Sequence, residues 1–189
     1  MAAQKDGILA GLVKGLVSVL TGGSAGRGTQ TRPTAPATRV ERDEPDAAGR
    51  TGTSATIEIT PPAAADLRIS YEPSRDGDPD AGEVVWTWVP YAENDGRGKD
   101  RPVLVIGRES AKRVYAVRLT SKAHDGDRDF LSIGSGPWDS QGRPSWVDIE
   151  QLYSVHADGM RREAAALDLT RFARVAQALQ KRYGWRVAD

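Results

Sequence analysis

Two short apolar runs rich in valine and tryptophan flank a polar, glycine-containing loop over residues 82–107, GEVVWTWVPYAENDGRGKDRPVLVIG. The β-branched and aromatic content of residues 84–89 and 103–106 predicts two buried strands. The Asn94-Asp95-Gly96 turn signal between them predicts antiparallel pairing. Residues 113–119 (RVYAVRL) alternate apolar and polar as a third strand, joined through Ser110, Ala111 and Lys112, a connection short enough for a hairpin. Further short strands are expected at 130–133, 145–149 and 152–155, separated by glycine-rich turns, and strands at this spacing predict a small barrel. The period then changes. Phe172, Val175, Ala176, Leu179 and Tyr183 fall at helical spacing behind Asp168, an N-cap residue type, and ahead of Gly184, where a helix would stop.

Upstream, residues 8–20 (ILAGLVKGLVSVL) form an apolar helical stripe with Gly7, Gly11 and Gly15 recurring every fourth residue. The run is shorter than the ~20 residues that cross a bilayer. An amphipathic N-terminal helix over 1–21 is expected, and a signal peptide, membrane-surface contact through residues 5–20 and a loose appendage are its competing roles. Residues 22–66 are dominated by glycine, threonine, proline, alanine and charge, which predicts a disordered linker, although 56–60 (TIEIT) alternates like a strand. The folded domain is placed at 67–189, beginning with the alternating 67–71 (LRISY).

A chain of 189 residues with 39% hydrophobic content supports one modest core and excludes a large multidomain enzyme. Its formal net charge is zero, but the charges are segregated. Arg97, Lys99, Arg101, Arg108, Lys112, Arg113, Arg118 and Lys122 stand against Asp100 and Glu109, whereas residues 76–95 carry acidic groups only. This distribution permits a polyanion site and is equally that of solvated loops. The absence of cysteine removes disulfides, thiolate nucleophiles and cysteine zinc sites, and is compatible with a reducing compartment.

Several familiar motifs fail on inspection. Asp125, Asp127 and Asp129 open like a calcium loop, but Phe130 stands where glycine is needed and Gly136 where the bidentate glutamate belongs. Asp76, Asp78 and Asp80 fail likewise, and Gly98-Lys99 lacks the earlier glycine of a phosphate-binding loop. No metal site and no cofactor are expected. What remains is Arg101 and Thr120. If the three strands pair consecutively, the start of the second and the end of the third share one sheet edge. A guanidinium beside a hydroxyl suits stabilisation of the phosphorane formed when RNA is cleaved by its own 2′-hydroxyl. From spacing alone the simpler reading is that Arg101 pairs with a carboxylate and Thr120 ends a strand. Arginine is a poor general base, so Glu93, Asp100 and His124 are candidate proton carriers. Trp138, in a glycine-rich loop, is a candidate for stacking on a base, while Trp86 and Trp88 are expected in the core or at a dimer interface.

The ordered set of Gly82-Glu83 and its valine-tryptophan run, a polar loop, KDRPVLVI over 99–106, Thr120-Ser121-Lys122 and the SWVDIEQLYSV of 145–155 resembles the MazF/PemK family of toxins from type II toxin–antitoxin pairs. The resemblance implies a mainly β fold with a C-terminal helix, an SH3-like small β-barrel of the MazF/PemK/CcdB type, forming a homodimer in the cytoplasm. It implies metal-independent cleavage of single-stranded RNA, leaving a 2′,3′-cyclic phosphate and a 5′-hydroxyl. Arg101 and Thr120 would then be catalytic, and Lys99, Ser121 and Lys122 would contact RNA. Its implied partners are RNA, a cognate antitoxin and, together with that antitoxin, DNA. The alternative is an inactive barrel that only binds nucleic acid or protein.

Overall fold

The structure, a computed structural model, describes residues 47–74, 78–93 and 95–188. The helix expected over 1–21, most of the linker and Asn94 of the predicted turn lie outside the described residues. Within them, β1 (Ile57–Ile59), β2 (Arg68–Ile69), β3 (Glu83–Pro90), β4 (Gly98–Arg108), β5 (Arg113–Thr120), β6 (Phe130–Gly134), β7 (Ser145–His156) and β8 (Met160–Ala166) precede one α-helix, α1 (Leu169–Tyr183), and β9 (Arg186–Val187). The main sheet is antiparallel, in the order β1-β7-β5-β4-β3-β8 with β6 also pairing β7, and β2 pairs β9 in a separate parallel ribbon. Its path is open, with β1 and β8 at the two ends, so the expected barrel is an open antiparallel sheet at the level of backbone pairing.

Alternation along each strand sends neighbouring side chains to opposite faces. Leu104 and Ile106 of β4 join Val117 and Leu119 of β5 and Val147 and Leu152 of β7 in one core, closed by Phe172, Val175, Ala176 and Leu179 of α1. Val103 and Val105 point the other way, into a second cluster with Val85, Val89, Val114, Ala116, Tyr153 and Val155. The helix forms as its sequence predicts. The Asp168 side chain accepts from the Arg171 N–H at 3.0 Å, and Gly184 closes the C-terminus at φ 73°, a left-handed conformation that suits glycine.

Two expectations are corrected. Residues 47–66 do not all run as a linker: Glu58 stands opposite Tyr153 in the β1–β7 ladder, and Arg113 donates to the Thr53 and Ala55 carbonyls. The TIEIT alternation finds an open edge on β7, and pairing satisfies backbone groups that composition alone cannot place. The Trp88 N–H donates to the Ala48 carbonyl, and the buried Thr56 and Thr87 hydroxyls lie 2.6 Å apart, so this arm also reaches β3. Second, β4 begins at Gly98, so Lys99, Asp100 and Arg101 are strand residues and not loop residues. Pro102, which has no N–H, sits just before Val103, where the β4–β5 rungs end.

Candidate functional site

Arg101 stands opposite Thr87 on β3 and is half-buried. On its other side, β4 pairs with β5 through Val103↔Arg118 and Leu104↔Val117. Carrying that register two residues beyond the last rung sets Arg101 across from Thr120. Arg101 shares a face with Val103, and Thr120 shares it with Arg118, so both side chains leave the sheet on the side of the second cluster. Thr120 is half-buried, and its Oγ1 accepts the Lys122 N–H at 3.2 Å, which leaves the hydroxyl hydrogen to donate elsewhere. Lys99 lies on the Arg101 face two residues earlier, and Ser121 and Lys122 are exposed immediately beyond β5.

The three candidate proton carriers do not join this group. Asp100 alternates to the opposite face and is held by Arg161 at 2.5 and 3.2 Å. Glu93 is exposed on the β3–β4 connection. His124 stacks on Phe130 with ring centroids 3.6 Å apart and has Asp127 3.5 Å from Nδ1. Trp138 is a core residue, 2% exposed, whose Nε1 donates to Ser145 Oγ at 3.0 Å. Its ring is therefore closed to a base. A glycine-rich flank signalled a loop, but indole area is worth more buried than displayed. Trp88 is buried, as expected, while Trp86 is half-buried.

Residues missed by sequence reasoning sit on the same face. The β5–β7 ladder passes from Val117↔Leu152 to Leu119↔Val147, so residues 148–151 stand opposite Arg118 alone. Asp148 makes this bulge: its Oδ1 accepts the Glu150 and Gln151 N–H groups at 2.9 and 3.4 Å, and its Oδ2 takes Arg118 Nη2 at 2.5 Å. Asp148 is 2% exposed. Beside them the fully buried Tyr153 donates its hydroxyl to Gln151 Oε1 at 2.9 Å. Burial pushes the Tyr153 pKa well up; Arg118 and Arg101 pull it down, and Glu58 and Asp148 add to the rise. Two guanidiniums and two carboxylates thus act on one hydroxyl. The signal available in sequence was Arg118 two places before Thr120 in an alternating strand, and an aspartate inside the apolar SWVDI run.

A groove of about 660 Å³ opens nearby, lined by Arg50, Glu58, Trp88, Tyr91, Arg97 and Gln151 among others. The Arg50 guanidinium lies 4.6 Å from the Trp88 ring centroid. The groove joins the arm before β1 to the β3–β4 connection and, through Glu58 and Gln151, adjoins the Arg118 cluster.

The fold and the site together define a small β-rich domain with one covering helix and a cationic patch on the sheet face away from that helix. A family profile described as "PemK-like, MazF-like toxin of type II toxin-antitoxin system" matches residues 80–182, more than half of the chain, and the chain belongs to that family. Among solved structures, the chain is similar to MazF (Form-I) from Deinococcus radiodurans, with 22% identity over 57% of this chain and 97% of that one at a TM-score of 0.44. The MazE-MazF complex (Form-II) from the same organism matches at 21% identity over 56% and 96%, with a TM-score of 0.43. An endoribonuclease in complex with its cognate antitoxin from a mycobacterial species matches at 18% identity over 56% and 95%, also at 0.43. No curated relative matches by sequence.

Proposed function

We propose that this chain is the toxin of a type II toxin–antitoxin pair and acts as a metal-independent endoribonuclease on single-stranded RNA. Family membership supports the first half of this reading. What supports the second is the β4–β5 register, which puts Arg101 and Thr120 on one sheet face of adjacent strands, each partly exposed. In the proposed reaction the 2′-oxygen attacks phosphorus and the bond from phosphorus to the 5′-oxygen breaks. The 2′-oxygen gives up one proton and the 5′-oxygen gains one. Nothing is oxidised. The Arg101 guanidinium offsets the charge that builds on the phosphorane oxygens, and the Thr120 hydroxyl donates to one of them, interactions that strengthen as charge develops. Lys99, Ser121 and Lys122 hold flanking phosphates.

A disordered antitoxin tail covering the basic face, homodimerisation and a cytoplasmic location complete this reading. Among the described residues no helix is long and apolar enough to cross a membrane. The test is cleavage of single-stranded RNA in a chelator with the new ends mapped, repeated with Arg101→Ala and Thr120→Val. Cyclic-phosphate ends and a loss of about 10²–10³-fold in kcat for Arg101→Ala are expected. A requirement for divalent metal, or equal cleavage by the variant, would overturn the mechanism.

A further inference from the structure

We infer that Arg118, held in place by Asp148, is a second catalytic cation of the proposed nuclease site; this rests on the reading just given. Arg118 lies two residues before Thr120 on β5, across from Val103, itself two residues after Arg101. Arg101, Arg118 and Thr120 therefore project from one patch of one face. A phosphodiester that meets Arg101 and Thr120 lies within reach of the Arg118 head group, which is 22% exposed while its carboxylate partner is 3% exposed.

The pair has the form of a positioned cation more than of a fold-stabilising bridge. Asp148 spends one oxygen on the backbone of the bulge and the other on Arg118 Nη2, so the guanidinium is fixed by a group that is itself fixed. Arg118 Nε is buried and has no hydrogen-bond partner among the described residues. A guanidinium placed only for stability would be expected to use that donor, since a buried orphan costs roughly 1–3 kcal/mol. Bulges of this kind are enriched beside active sites because they re-aim a side chain without breaking the sheet. The ligand class is the charge-bearing phosphodiester of single-stranded RNA at the point of cleavage. Arg118 touches it, and Asp148 is a positioning residue.

The experiment measures kcat and KM for RNA cleavage in chelator by the full chain, with binding of a 2′-O-methyl RNA that cannot be cut, for Arg101→Ala, Arg118→Met, Arg118→Lys and Asp148→Asn. Arg118→Met is expected to lower kcat about 10²-fold or more while KM and binding to the uncleavable RNA change less than about tenfold. Arg118→Lys should recover part of the loss, because charge returns without the planar fork. Asp148→Asn keeps an acceptor for the bulge and should lower kcat about tenfold or more by freeing Arg118. Because removing one partner of a buried pair destabilises strongly, the double variant Arg118→Met/Asp148→Asn is made as well; the asparagine oxygen keeps the acceptor for the Glu150 and Gln151 N–H groups, so this variant should fold and still not cleave. Wild-type cleavage lost in Arg101→Ala but kept in a folded Arg118→Met, or in the double variant, would overturn this inference alone. Absence of cleavage by the wild-type chain would overturn the nuclease reading and this inference with it.

Discussion

Replacing Thr87 by valine removes one hydroxyl from a fully buried position while nearly preserving side-chain shape. In the structure Thr87 Oγ1 donates to the Gly159 carbonyl at 2.6 Å, so its only hydrogen is spent, and the hydroxyl of Thr56, also 2.6 Å away, must be donor to Thr87. Valine leaves both the Gly159 carbonyl and the Thr56 hydroxyl without this partner in a space that admits no side chain: a Cβ built on Gly49 would lie 2.3 Å from Thr87 Oγ1 and 2.4 Å from the Gly159 oxygen. Each orphaned buried group costs about 1–3 kcal/mol, and the Thr56 hydroxyl recovers part of its loss by rotating, so a net cost of about 2–4 kcal/mol is expected. For a domain of this size that lowers Tm by roughly 5–12 °C. Urea unfolding followed by tryptophan fluorescence measures it, and a double-mutant cycle with Thr56→Val isolates the pair, with a coupling of about 1 kcal/mol or more expected. Limited proteolysis should cut the arm before β1 faster in Thr87→Val. A cost below about 0.5 kcal/mol, or additive single and double variants, would show that the arm is not anchored through this hydroxyl pair.

The remaining predictions concern the two faces and the buried groups. Asp100→Asn should leave RNA cleavage unchanged and cost less than about 1 kcal/mol in urea unfolding, because Asp100 faces away from Arg101 in a half-exposed pair with Arg161. Trp138→Ala should cost about 3–5 kcal/mol through loss of core packing, whereas Trp138→Phe should cost much less and leave KM for RNA unchanged; a raised KM with normal stability would restore the stacking role. Tyr153 is an acid whose native pKa is raised above the ordinary value near 10, so the unfolded chain releases this proton first. Its contribution is present in full below about pH 10 and is lost as pH rises from there toward the native pKa. Tyr153→Phe should flatten the alkaline fall in stability and remove one late-titrating phenol from the ultraviolet titration.

Local pattern was enough for β3, β5 and the hairpin around Ser110-Ala111-Lys112, and for α1 between Asp168 and Gly184, because alternation, helical spacing and cap chemistry are properties of neighbouring residues. That β4 begins and β5 ends at the same edge of the sheet was also legible, since consecutive antiparallel strands leave few alternatives. What tertiary structure decided was the face each residue occupies and the company it keeps there. Asp100 and Arg101 are adjacent in sequence, yet one strand boundary moved to Gly98 sets them on opposite sides of the sheet. Trp138 went to the core once Ser145 was there to take its N–H. Asp148 met Arg118 because β7 accumulates four residues against one on β5, a register shift set by strands thirty residues apart. The arm found β7 because β6 pairs that strand only as far as Asp148, which leaves Leu152, Tyr153 and Ser154 for β1. Register and edge pairing depend on distant segments meeting, and no window of sequence contains both partners.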